Sequence, residues 1–280
     1  MLEIHHLSLS LSGRPILEDI HLQASPGELC VLMGANGAGK SSLLQVVAGN
    51  YTHYTGQVRM AGKSLRQLTI SEQAHCRAVL SQRVNLHLPF TVAEIVAMGR
   101  YVHTRSLLTD KHIVEYAMQV MEVDAFKDRS WLTLSGGQQQ RVHLARVLAQ
   151  LLDAPMLEDY TGKKMLLLDE PVTGMDIRYQ QLALQLAREL TRYGILVIAV
   201  LHDFQLAAAW ADRIFMLHRG QLFATGTPEA VLTVEGIHHC FGIHVQVLDH
   251  PSCNYPIVVT ANHHHHSKKI LTDGNNYFSA

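Results

Sequence analysis

An apolar run, Leu29–Met33, passes directly into GANGAGKSS at residues 34–42 and then into a helical pattern with apolar positions at Leu43, Leu44, Val46 and Val47. An unbroken apolar run bounded in this way reads as a strand buried on both faces, and such strands belong to parallel sheets covered by helices. The junction therefore commits the chain to an α/β core. Gly34, Gly39, Lys40 and Ser41 fit the spacing GxxxxGK[ST], with the preceding strand and following helix that the motif requires. Its chemistry follows from its composition. Glycines let backbone amides converge on a polyphosphate at a helix N-terminus, Lys40 reaches the β and γ phosphates, and the Ser41 hydroxyl can ligate Mg²⁺. Asn36, Gly37 and Ser42 complete the candidate phosphate cradle.

The rest of the chain alternates in the same manner. Residues 2–9 and 16–22 read as strands around a turn at residues 12–15, residues 165–168 and 195–200 as further all-apolar strands, and 214–217 with 221–224 as a hairpin about Arg219-Gly220. Between Asn85 and Gln150 the pattern is helical, with apolar positions at Ile113, Ala117, Val120 and Met121 and at Val142, Ala145, Leu148 and Ala149. We read residues 84–155 as a helical subdomain inserted into a core of residues 1–83 and 156–260, followed by a polar tail at 261–280. Basic and acidic side chains number 23 and 24, so no global charge draws the chain to nucleic acid or anionic lipid. No apolar run approaches the roughly 20 residues of a membrane helix, and the N-terminus lacks the pattern of an export signal. Cys30, Cys76, Cys240 and Cys253 are scattered without CxxC spacing, so neither a disulfide framework nor a zinc site is expected. The chain reads as soluble and intracellular.

Two further motifs give the phosphate cradle a context. The strand at 165–168 ends in Asp169-Glu170, which puts one carboxylate where it can orient a Mg²⁺ shell and the next where it can polarise a water. Asp169 is the metal candidate and Glu170 the general-base candidate. Upstream lies LSGGQQQR at 134–141, where Ser135, Gly136, Gly137 and Gln138 open a helix and offer a second phosphate-binding surface. With these three motifs in this order the chain resembles the ATP-binding cassette family over roughly residues 2–250.

The resemblance implies an α/β phosphate-loop NTPase core with an antiparallel β edge and an inserted helical subdomain, using ATP and Mg²⁺. It implies a homodimer in which Ser135–Gln138 of one chain close over ATP held by the phosphate loop of the other. It also assigns Gln82 to a Mg²⁺ and water contact linking core and helical subdomain, Asp176 to the loop after the carboxylate strand, and His202, following the strand Ile195–Leu201, to a γ-phosphate contact. One position departs from the family pattern: where an aromatic residue usually stacks on adenine, this chain offers Leu11.

Without fused membrane spans, the chain resembles an importer ATPase. That implies docking on two separate transmembrane permease subunits, served by a periplasmic substrate-binding protein, at the cytoplasmic face of a bacterial inner membrane. The stretch AVLSQRVNLHLPFTVAEIVAMGR at 78–100 is similar to the group serving iron-siderophore, vitamin B12 and haem uptake, with haem the implied cargo and no direct cargo contact by this chain. Siderophore or vitamin B12 import remain alternatives. A more distant one is a cassette ATPase acting on nucleic acid or ribosomes. Only about 95 residues separate Lys40 from Ser135, without the sustained heptads of a coiled-coil insert, and the chain has one cassette where the ribosome-associated type has two. Leu86, Leu88, Pro89 and Phe90, with the helix at 92–98, carry more apolar side chains than a connecting loop needs, which fits either a subdomain core or a groove for a partner helix; the family resemblance implies the groove, for a permease helix. Nineteen histidines invite a metal reading, but most are isolated. His238, His239, Cys240 and His244 are read as structural, and His263–His266 as an incidental part of the tail.

Overall fold

The computed structural model describes residues 1–81, 88–103, 107–153 and 164–260. β1 (Leu2–Leu11) and β2 (Arg14–Ala24) form a hairpin that reverses through Ser12 and Gly13 alone, both left-handed at φ 50° and 77°. Two such residues match the twist of the flanking strands, so Arg14 and Pro15 join β2 rather than the turn. Pro15 is tolerated there because β2 is an edge strand. β3 (Leu29–Met33) leads through the glycine loop into α1 (Lys40–Val47). β4 (Thr55–Met60) and β5 (Lys63–Ser64) complete a four-stranded antiparallel sheet ordered β2-β1-β4-β5.

After α2 (Ile70–Cys76) and β6 (Arg77–Leu80) come three helices, α3 (Val92–Ala97), α4 (Leu107–Val120) and α5 (Gly136–Leu151). The chain returns through β7 (Met165–Asp169), α6 (Ile177–Arg192), β8 (Leu196–Val200), α7 (Phe204–Trp210), β9 (Arg213–His218) and β10 (Gln221–Gly226). The described residues end in α8 (Pro228–Val231), α9 (Val234–Phe241) and the hairpin of β11 (Val245–Leu248) and β12 (Ile257–Thr260).

The central sheet is ordered β10-β9-β3-β8-β7-β6, parallel except for the antiparallel edge strand β10. Side chains on a strand alternate between faces, and here both faces are covered. Leu29, Val31, Met33, Leu166, Leu168, Val197 and Ala199 enter a core shared with α3 to α6. Cys30, Leu32, Met165, Leu167, Leu196, Ile198 and Val200 enter a second core shared with α1 and the four-stranded sheet. Neither alternate position is left for a polar residue, which is why these strands are continuous apolar runs. Leu32 and Asp169 both stand opposite Val200, so the C-terminal ends of β3, β8 and β7 lie side by side. Loops leaving that edge of a parallel sheet are where ligands bind in such folds.

Buried guanidinium groups tie the helices together by saturating carbonyls that helix ends leave over. Arg141 of α5 donates to Met121 O at 3.1 Å and Glu122 O at 2.7 Å, just beyond α4, while Arg100 donates to Ala149 O and to Leu152 O and pairs with Asp110 at 2.8 Å. Phe90 is half-buried against this core and its carbonyl accepts from Trp131 N at 2.8 Å, whereas Leu88 is 59% exposed. The expected apolar groove is corrected accordingly: Phe90 contributes to packing, and Leu88 is the outward-facing member. Leu86 lies outside the described residues.

His143 on α5 is buried against Trp131, with ring centroids 4.6 Å apart, and neither ring nitrogen has a hydrogen-bond partner. Burial, with a further contribution from Arg146, lowers its pKa to about 4. The unfolded chain takes up this proton below about pH 6.5, whereas the folded chain resists it until about pH 4, so stability present above pH 6.5 is lost as pH falls through that window. The expected loss from this group at pH 5 is about 2 kcal/mol. His143→Leu should flatten this part of the profile in urea melts between pH 7 and 5. An unchanged slope in the variant would assign the acid sensitivity elsewhere.

Candidate functional site

The loop from Gly34 to Gly39 leaves β3 and turns at once into α1, and its glycines are required by contact as well as by torsion. Gly34 has φ 147°, and a Cβ there would fall 2.3 Å from Leu217 O; Gly39, the N-cap of α1, has φ 101° and would meet Leu17 Cδ2 at 2.8 Å. No side chain caps α1, so the positive end of the helix faces the loop. Asn36 and Gly37 are exposed on the loop, and Ser41 and Ser42 are half-buried in the first turn of α1. Lys40 is buried, and its ammonium donates to Gly34 O at 2.8 Å and Ala35 O at 2.9 Å. Burial holds its pKa below the ordinary lysine value, although the Glu170 and Asp169 carboxylates pull it upward.

Those carboxylates arrive from β7. Asp169, the last residue of the strand, is buried and accepts from Ser41 Oγ at 3.2 Å. Burial raises its pKa, opposed by the Ser41 hydrogen bond. An oxygen–oxygen separation of 3.2 Å is near the edge of about 3.0 Å for an octahedral cation with bonds of about 2.1 Å, so this pair suits Mg²⁺. Glu170 follows with φ 52°, a left-handed conformation that costs energy in a non-glycine residue. Its Oε1 lies 2.8 Å from His202 Nε2, and its Oε2 accepts from Thr173 Oγ1 at 3.2 Å. His202 stands just past β8, and the next residue, Asp203, caps α7 by accepting from Gln205 N and Leu206 N. The imidazole is thus fixed between a strand end and a capped helix start.

The helix α5 opens with a capping box: Ser135 Oγ accepts from Gln138 N at 3.3 Å, and Gln138 Oε1 accepts from Ser135 N at 3.0 Å. Gly136 has open space where a Cβ would be, whereas a Cβ on Gly137 would lie 3.1 Å from Gly174 O. The helix start therefore packs on the loop after β7. Asp176 in that loop is exposed and caps α6 by accepting from Tyr179 N at 3.1 Å. Two residues not singled out in the sequence reading join the site. Thr173 holds Glu170, and Gln140 on α5 donates to Glu170 O at 3.4 Å and Pro171 O at 3.3 Å. The run Gln138–Gln140 one turn into α5 was the only available signal for the latter. Gln82 lies outside the described residues.

Lys40, Ser41, Asp169, Glu170 and His202 are thus brought together at one edge of the parallel sheet, and the family model described as ABC transporter matches residues 17–173, from β2 to the loop beyond Glu170. The chain belongs to the ABC transporter family. A hemin import ATP-binding protein HmuV of Gloeobacter violaceus is 42% identical over 261 residues, which is 92% of this chain and 94% of that protein. A hemin import ATP-binding protein HmuV of Pseudomonas putida is 42% identical over 260 residues, covering 93% of this chain and all of the relative. An ATP binding subunit of an ABC transporter superimposes with TM-score 0.71 at 21% identity, covering 86% of this chain and 93% of that one, a likeness of fold. As an ABC transporter chain it carries no fused membrane helix among its described residues: none is long and apolar enough to cross a bilayer.

Proposed function

We propose that this ABC-family ATPase drives uptake of haem across a bacterial inner membrane, from its cytoplasmic face, by docking on two transmembrane permease subunits supplied with cargo by a periplasmic binding protein. The observation that carries the reading is the 42% identity to hemin import ATP-binding proteins over more than nine-tenths of both chains. In this reading the chain acts as a homodimer with residues 1–83 and 156–260 as its nucleotide core, 84–155 as its permease-facing helical subdomain, and 261–280 as a polar tail. The chain never touches cargo or nucleic acid.

The residues divide the chemistry among them. The loop Gly34–Gly39, with Asn36 and Gly37, presents amides to the phosphates of ATP, and Ser42 continues that contact into α1. Lys40 neutralises charge on the β and γ phosphates, releasing the loop carbonyls it now holds. Ser41 and Asp169 would hold Mg²⁺, with Gln82 assigned a further contact to it by the family resemblance; when bound, the ion would neutralise charge on the phosphates. Glu170, fixed by Thr173 and His202, orients the attacking water and takes its proton, while His202 faces the γ-phosphate. Ser135, Gly136, Gly137 and Gln138 of the partner, with Asp176 at the dimer seam, complete the site.

The test is reconstitution in vesicles with the permease pair and binding protein, measuring ATP-dependent haem accumulation. Uptake of a siderophore or of vitamin B12 in place of haem would reassign the cargo, and no transport of any of the three would reject the importer reading. In the same assay Leu88→Glu, at an exposed position, is expected to keep the fold and basal ATPase rate while uptake and permease stimulation fall by about tenfold or more. Normal coupling in the variant would place the permease contact on another surface.

A further inference from the structure

On the exposed face of the four-stranded sheet, three ligand-type side chains from two strands converge on one point, near the middle of β1 and β2. His6 Nδ1 lies 2.8 Å and His21 Nε2 lies 3.1 Å from the same oxygen, Asp19 Oδ1. The three ligand atoms all fall within 4.8 Å of one another. We propose that His6, Asp19 and His21 form a binding site for a divalent transition-metal cation, separate from the Mg²⁺ of the nucleotide site.

The backbone is built to bring them together. Buried positions along β1 run Leu2, Ile4, Leu7, Leu9, and along β2 they run Leu17, Ile20, Leu22, Ala24. Each series contains one step of three where a flat strand steps by two. Pairing shows why: His5 and His6 together oppose His21 between the pairs Ile4–Leu22 and Leu7–Ile20, and Glu18 and Asp19 together oppose Ser8 between Leu7–Ile20 and Leu9–Leu17. These are two successive bulges, one on each strand, and the second residue of each is left-handed, His6 at φ 51° and Asp19 at φ 50°. A bulge re-aims its side chain. Here both aim at His21. Asp19 N additionally donates to Ser8 Oγ at 3.0 Å, which fixes the second bulge, and His6 and His21 meet edge to face at 4.0 Å.

Hydrogen bonding alone is a poor reason for this arrangement. His6 is 74% and Asp19 is 70% exposed, and exposed pairs of this kind contribute little in water, while two left-handed non-glycine residues both cost strain. A cation uses the same three atoms to better effect. Bonds of about 2.1 Å place ligand atoms about 3.0 Å apart at octahedral angles and about 3.4 Å apart at the tetrahedral angles of Zn²⁺, within a few tenths of an ångström to about half an ångström of the two separations present, and the remaining coordination positions are left to water. Two imidazoles and one carboxylate suit Fe²⁺, Co²⁺, Ni²⁺ or Zn²⁺ over Mg²⁺ and Ca²⁺, which prefer all-oxygen shells. His5, whose ring lies 6.4 Å from that of His21, stands outside the set.

The probe is Zn²⁺, titrated calorimetrically into the full-length chain in excess Mg²⁺, with the four tail residues His263–His266 changed to Ala so that they do not compete. One Zn²⁺ per chain is expected. Adding His21→Ala or Asp19→Asn should weaken binding by about tenfold or more, whereas His5→Ala should not. Asn tolerates the left-handed backbone, so Asp19→Asn removes the charge without unfolding the bulge. Melting in the presence of a chelator should be unchanged for Asp19→Asn, and the Zn²⁺-induced rise in Tm should vanish. No stoichiometric uptake once the tail histidines are gone, or an affinity in His21→Ala and Asp19→Asn unchanged from that of the parent chain, would overturn the site and leave the triad a hydrogen-bonded surface cluster.

Discussion

Glu170→Gln is expected to lower ATP turnover by about 100-fold or more while leaving Mg·ATP affinity within about twofold of the unsubstituted chain. The substitution is isosteric, and the amide can still accept from Thr173 Oγ1 and meet His202 Nε2, so the contacts that position the side chain survive. Only the ability to take a proton and the negative charge that orients water are removed. The left-handed backbone at φ 52° gives the same cost to Gln as to Glu, so the melting temperature should hold. Steady-state hydrolysis, ATP calorimetry and thermal melting on the one variant separate chemistry from binding and from folding. Turnover within a factor of about two of the original would remove Glu170 from the role of base. A residue held off the favoured backbone regions and pinned at both carboxylate oxygens is what a pre-positioned base requires, and that geometry is the reason to expect the full effect.

The elements of this site were legible in sequence where one side chain type has one physical use. Leu29–Met33 read as a buried strand because no alternate position is polar, and the strand occupies those same residues. Ser135 and Gln138 read as a helix start, and form its capping box. What could not be read was where the backbone departs from regular repeats. The positive φ of Glu170 leaves no mark in composition, since a glutamate there looks like any strand end. Lys40 bonded to carbonyls of its own loop depends on the loop's path. His6 and His21 are two of nineteen histidines, most of which read as isolated, and Asp19 carried no signal of its own, yet the step of three between Ile4 and Leu7 and between Leu17 and Ile20 was a visible sign that the strands bulge. Phe90 misled in the opposite sense: an apolar residue in a loop reads as a docking surface until the core it packs against is known.

Mixing two inactive variants should restore activity if the nucleotide is sandwiched between chains. Lys40→Ala removes the charge facing the phosphates, and its ATP affinity should fall by about tenfold or more. Gly136→Glu tests the opposite face. Gly136 is the first residue of α5, has open space at its Cβ position and no positive φ, so a side chain fits without strain, and an acid in the first turn favours the helix. The folded chain should therefore tolerate it, but its carboxylate would repel the phosphates held by a partner's loop. Each variant alone should lose about 100-fold or more of its ATPase rate. In an equimolar mixture half of the dimers are hybrid, and each hybrid has one doubly altered and one intact site, so independent sites return about a quarter of the original rate. Strictly coupled sites would return none, and a second measurement covers that case. In the Glu170→Gln background, ATP should drive the chain to a dimer on gel filtration, while Glu170→Gln with Gly136→Glu should bind ATP and remain monomeric. Dimerisation that survives Gly136→Glu, or full turnover from a demonstrated monomer, would place Ser135–Gln138 outside the nucleotide sandwich; loss of the dimer with ATP still bound would show that these residues act on the partner's nucleotide and not on their own.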